Sequence, residues 1–109
     1  MSEWLAVTKV TEIPPLGSRV VEAKTMKIAL FRNNQDQVFA IKDACPHKQG
    51  PLSQGIMHNN TVTCPLHNWR INLETGQALE PDEGCAHIFE VKIEQGLVYL
   101  KKSALNNTD

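Results

Sequence analysis

The chain reads as an all-β domain, a sandwich or small barrel of short strands. Three observations predict this: alternating or β-branched runs of four to seven residues recur, turn-forming residues punctuate them, and no window of about 12 residues keeps a helical apolar period. Trp4 to Val10 is the first run, followed by the Pro14-Pro15-Leu16-Gly17 turn. Arg19 to Ala23 and Lys27 to Arg32 come next, and Asn33-Asn34 separates them from Gln37 to Ile41. Thr61 to Cys64 follows the His58-Asn59-Asn60 turn, and Arg70 to Leu73 leads into Glu74-Thr75-Gly76. His87 to Ile93 and Leu97 to Lys101 flank Glu94-Gln95-Gly96. Each turn reads as a hairpin connection, because Gly, Asn and Pro supply the backbone angles that reversals need. The last pair is the clearest: Phe89, Val91 and Ile93 alternate with Ile88, Glu90 and Lys92 before the return strand.

Cys45 to Met57 resists the strand reading, holding two prolines, two glycines and few strand formers. So long a loop inside a small domain is functional or disordered. Ser103 to Asp109 reads as a polar, frayed tail.

At 109 residues the chain has room for one domain, 1–109, with one core. Lys and Arg number 11 against 12 Asp and Glu, a formal charge of -1, so the electrostatic footprint of a nucleic-acid or anionic-membrane binder is missing. The longest wholly apolar stretches, Ile28 to Phe31 and Leu97 to Leu100, are far shorter than the roughly 20 residues of a spanning helix. Met1-Ser-Glu-Trp-Leu lacks the basic and apolar regions of an export signal, which makes the cytoplasm the expected compartment. Three cysteines, an odd number, argue against a disulfide framework and for metal or redox chemistry.

The unusual loop begins Cys45-Pro46-His47, and 16 residues later comes Cys64-Pro65-Leu66-His67. Each segment places a thiolate and an imidazole on one turn, with a proline fixing backbone direction after the cysteine. Two such turns brought together offer two sulfur and two nitrogen ligands, a set that suits a tetrahedral zinc or an iron-sulfur cluster. A structural zinc usually draws both cysteines from one knuckle and both histidines from another element. Here each turn supplies one of each, as in a [2Fe-2S] cluster whose two irons take the two cysteines and the two histidines respectively.

These two segments resemble the Rieske motif, and the resemblance covers most of the chain. It implies a Rieske-like fold of small antiparallel sheets, with cluster-binding loops within 43–70 and a [2Fe-2S] cluster held by Cys45, His47, Cys64 and His67. More narrowly, Cys45-Pro-His-Lys-Gln-Gly-Pro-Leu-Ser-Gln-Gly55 and Cys64-Pro-Leu-His-Asn-Trp-Arg-Ile-Asn-Leu-Glu-Thr-Gly76 resemble small subunits of assimilatory NAD(P)H-dependent nitrite reductases. Rieske ferredoxins of aromatic-ring dioxygenases more often carry Arg-Gly-Ala after the first histidine and Gly-Trp after the second. This chain has Lys48-Gln49-Gly50-Pro51 and Asn68-Trp69. The resemblance implies an electron-transfer subunit of an oxidoreductase, with nitrite reduced to ammonium on a large partner carrying FAD, sirohaem and a [4Fe-4S] cluster. The chain itself lacks a Gly-rich dinucleotide fingerprint. The alternatives are a ferredoxin serving an oxygenase and a binding module held by zinc.

Two ferric ions, two sulfides and two thiolates sum to zero charge, so an added electron costs less than at a four-thiolate centre. The resemblance further implies that the outer nitrogens of His47 and His67 form the electron's exit and titrate. The potential is then expected to fall at alkaline pH by up to roughly 59 mV per unit for a one-electron, one-proton step. Neither loop has the spare cysteine of high-potential respiratory members. That places the expected potential in the lower part of a span of roughly -150 to +300 mV.

The remaining candidates have plainer readings. Cys85 is expected to be a buried free thiol. His87 should pack or face water, and His58 should be a solvated loop residue. Trp69 should pack beneath the second loop. Pro51, Leu52 and Pro81 are candidates for an apolar lid over the cluster. Lys48 either helps dock an acidic partner or is solvated.

Overall fold

The computed structural model describes residues 3–23, 26–44, 51–65, 69–79 and 84–101. Ten strands follow in chain order: β1 (Trp4–Lys9), β2 (Ser18–Ala23), β3 (Met26–Arg32), β4 (Val38–Lys42), β5 (Ile56–His58), β6 (Thr61–Thr63), β7 (Arg70–Asn72), β8 (Ile88–Phe89), β9 (Val91–Glu94) and β10 (Leu97–Lys101). The only helical pieces among the described residues are single 3-10 turns at Val10–Glu12 and Leu52–Gln54. Among the described residues all strand pairings are antiparallel, in three sheets ordered β1-β10-β9, β2-β3-β4-β8 and β5-β6-β7.

The four-stranded sheet forms the middle layer, and β3 explains why. Ile28, Ala29, Leu30 and Phe31 are all at most 1% exposed, so both faces of this strand are covered. Side chains alternate across a strand, and an apolar run without alternation is what a doubly buried strand requires. Ile28 and Leu30 pack with Val38, Ala40, Phe89, Val98 and Leu100, against the sheet of β1, β10 and β9. Ala29 and Phe31 pack with Ile41, Leu52, Met57, Val62, Cys64 and Ile71, against the sheet of β5, β6 and β7. Burying a side chain the size of Phe31 or Leu52 contributes about 1.5–3 kcal/mol each, so the two cores bind the outer sheets to the middle one.

Several sequence expectations change in the fold. The Pro14–Gly17 turn is not a hairpin, because β1 pairs with β10 and β2 with β3, so this segment crosses between sheets. The single run expected from His87 to Ile93 breaks at Glu90: Ile88–Phe89 pairs with β4 and Val91–Glu94 with β10. One strand thus serves two sheets by bending at a corner. The terminal hairpin stands, with Glu94 opposite Leu97 and positive φ at both Gln95 (51°) and Gly96 (77°). That is the backbone of a two-residue type I′ turn, which glycine enters without steric cost. The Cys45–Met57 segment is not structureless at its end, where a 3-10 turn and the start of β5 occupy Leu52 to Met57.

Candidate metal centre

The two Cys/His segments leave from the ends of strands in two stacked sheets, β4 and β6. The first departs after β4. The Asp43 amide donates to Lys27 O of β3 at 2.9 Å, extending the β3–β4 ladder by one step. The Asp43 carboxylate then accepts twice from Ser53: Oδ1 from the amide at 2.7 Å and Oδ2 from the hydroxyl at 2.8 Å. Ser53 O in turn accepts from the Ser18 hydroxyl of β2 at 2.9 Å. Leu52, fully buried, anchors the returning chain in the core. Leu52 is therefore core and not lid, while Pro51 is exposed and Pro81 lies outside the described residues.

The second segment departs from β6. The Cys64 amide donates to Trp69 O at 2.7 Å, closing the short reversal between β6 and β7. The Cys64 side chain is 0% exposed, and Trp69 packs partly buried against the same core, as expected. Cys64, Leu52 and Trp69 thus belong to one core, so the return of the first segment and the start of the second are anchored in the same apolar cluster. Gly55, just before β5, packs tightly against β6, since a Cβ there would overlap the carbonyl oxygen of Thr63, the residue before Cys64. Cys45, His47 and His67 lie outside the described residues, as do Lys48 and Asn68.

Comparison with known proteins identifies this arrangement. The profile of the Rieske-like [2Fe-2S] domain matches residues 3–101. The chain belongs to the Rieske family. It is 38% identical over 101 residues to the 3-phenylpropionate/cinnamic acid dioxygenase ferredoxin subunit of Photorhabdus laumondii, covering 91% of this chain and 94% of that one. To ferredoxin CarAc of Metapseudomonas resinovorans it is 32% identical, over 89% of this chain and 92% of that protein. Among solved structures it resembles a chain of the oxygenase–ferredoxin complex of carbazole 1,9a-dioxygenase, with a TM-score of 0.82, 28% identity and coverage of 94% and 95%. A structure provisionally named an NADPH nitrite reductase small subunit shares the fold, with a TM-score of 0.81, 24% identity and coverage of 89% and 96%.

As a Rieske domain the chain carries a [2Fe-2S] cluster and acts in electron transfer. The residues present fit that cofactor. The sequence has three cysteines, so four-thiolate ligation within one chain is impossible and at least one non-thiolate donor is required, a need that the chain's histidines can meet. Cys64 presents a thiol wholly withdrawn from water at the base of its segment, which suits the sulfur-ligated side of such a centre.

Cys85 is exposed, contrary to the buried thiol expected, because it lies on an isolated bridge with Gln77 outside both cores. His87 is exposed and its ring stands 4.6 Å from that of Phe89, while His58 is exposed at the end of β5, ordered in a strand and not in a loop. Sequence reading missed Asp43 and Ser53. No periodicity marks them; only their positions just outside the Cys45–Leu52 segment could have done so. No helix among the described residues is long and apolar enough to cross a membrane.

Proposed function

We propose that Cys45, His47, Cys64 and His67 ligate the cluster of this single 1–109 domain, and that the chain is the electron-transfer small subunit of a cytoplasmic NAD(P)H-dependent nitrite reductase. The cluster supplies a one-electron relay; the chain's own contribution is to hold two thiolates and two imidazoles on adjoining turns. The ligand assignment is supported by the core that Leu52, Cys64 and Trp69 share, in which the return of the first segment and both ends of the second are anchored.

The choice of partner rests on loop chemistry. Lys48-Gln49-Gly50-Pro51 and Asn68-Trp69 follow the nitrite reductase small-subunit pattern and depart from that of dioxygenase ferredoxins. Nitrite reduction to ammonium then takes place on a large subunit carrying FAD, sirohaem and a [4Fe-4S] cluster. A second reading, a ferredoxin delivering electrons to an oxygenase, is favoured by the 38% identity to a dioxygenase ferredoxin subunit over nearly the whole of both chains.

Co-purification of the tagged chain from its native host separates them. A stable stoichiometric complex with a sirohaem protein supports the small-subunit reading. A chain isolated alone that reduces a ring-hydroxylating oxygenase supports the second. Colourless protein containing zinc and no iron overturns both.

A further inference from the structure

We propose that Asp43 and Ser53 are positioning residues for the cluster, forming a clasp that ties together the two ends of the stretch of chain to which Cys45 and His47 belong. The proposal rests on the ligand assignment above. Both carboxylate oxygens of Asp43 are committed to one residue, at 2.7 Å and 2.8 Å. Ser53 is itself held from a third strand by the Ser18 hydroxyl. The Asp43 amide is locked into the ladder of β3, so the carboxylate starts from a fixed backbone. Residues 44–52 thus begin and end at points tied to β2, β3 and β4, with Leu52 buried beside the clasp.

Such a neck matters for a metal centre more than for the fold. The two buried cores hold the sheets together without it, and a hydrogen bond to a charged acceptor in a partly buried site is among the stronger local restraints a loop can have. A ligand segment free to swing samples geometries that do not match the second turn, and the centre then opens more often; supporting residues of this kind set metal retention in other sites. The clasp restrains ligands from outside the ligand set and touches no reacting atom.

The test uses the full chain, isolated with its cluster, and the variants Asp43→Ala, Ser53→Ala and Ser53→Thr. Cluster release to excess chelator should be about tenfold faster in the two alanine variants. Their reduced-state g values should shift or broaden, and Ser53→Thr, which keeps the hydroxyl, should restore both. In the cluster-free chain, amide exchange at Ser53 should accelerate in Asp43→Ala, while the thermal midpoint moves little. Release rates and g values equal to wild type in both alanine variants overturn the clasp. A wild-type chain without a mixed nitrogen and sulfur spectrum overturns the ligand assignment first, and this proposal with it.

Discussion

Asn33 donates through Nδ2 to Oδ1 of Asn60 at 3.0 Å, joining the β3–β4 turn to the β5–β6 turn. Asn33 is 3% exposed and uses its whole side chain: Nδ2 also donates to Gln37 Oε1 at 2.7 Å, and Oδ1 accepts from the amides of Gln35 and Gln37, each at 2.9 Å. Asn60 continues outward, its side chain donating to Glu74 Oε2 at 3.2 Å and its carbonyl accepting from the Leu73 amide at 2.8 Å. The middle sheet is thereby pinned to the β5–β7 sheet, which carries Cys64, at the end away from Cys64.

Asn33→Ala should cost about 1–2 kcal/mol, because it removes the hydrogen bonds by which one buried side chain ties the two turns together. Urea unfolding measures the loss. A change below about 0.5 kcal/mol, the scale of an ordinary surface substitution, would show that the two turns are held by apolar packing alone.

Cys64→Ala and His67→Ala should each abolish the visible colour and the reduced-state paramagnetic signal while the strand framework persists. The two cores account for the framework, whereas the centre needs all four donors. Circular dichroism and iron content, measured together, check this. Complete unfolding of either variant would make the sheets dependent on iron.

Gly55→Ala should destabilise by about 1–3 kcal/mol through overpacking, since the added methyl overlaps Thr63 O and meets Val62 Cγ2 at 3.0 Å. The backbone at Gly55 is ordinary for any residue, with φ of -79°, so the cost is spatial and not conformational. Because Thr63 precedes Cys64, cluster retention should fall as well, and chelator challenge alongside urea unfolding reads both.

Glu12 titrates below the ordinary carboxylate range, first because the Lys9 amide donates to its Oε1 at 3.0 Å and then because the Thr8 hydroxyl donates at 2.7 Å. A lowered folded value means that the ionised form favours folding above the ordinary carboxylate pKa. That contribution fades as pH falls through the lowered value. Thr8→Val should move the Glu12 midpoint upward in an NMR titration, and Glu12→Gln should flatten part of the acid limb of stability.

The midpoint potential should lie in the lower part of the Rieske span of roughly -150 to +300 mV, because neither loop carries an extra cysteine. A redox titration decides it, and a value above about +200 mV refutes the expectation.

Much of this protein was readable before any coordinates. Short apolar runs between Asn, Gly and Pro turns specify strands, since side-chain alternation and turn angles are local properties. The short spacing of Cys45 to His47 and of Cys64 to His67 is local too, and it is the ground on which the proposed ligand set rests. Partnership between distant strands is not local. Nothing in Ile28 to Phe31 says that alternate residues feed two different cores, or that the run after His87 changes sheets at Glu90. The exposure of Cys85, the core role of Leu52, the Asp43–Ser53 hydrogen bonds and the burial of Cys64 in the same core as Leu52 were likewise decided by tertiary packing. Each depends on which surfaces meet when three sheets stack, and residues far apart in the chain carry no periodic signal of that meeting.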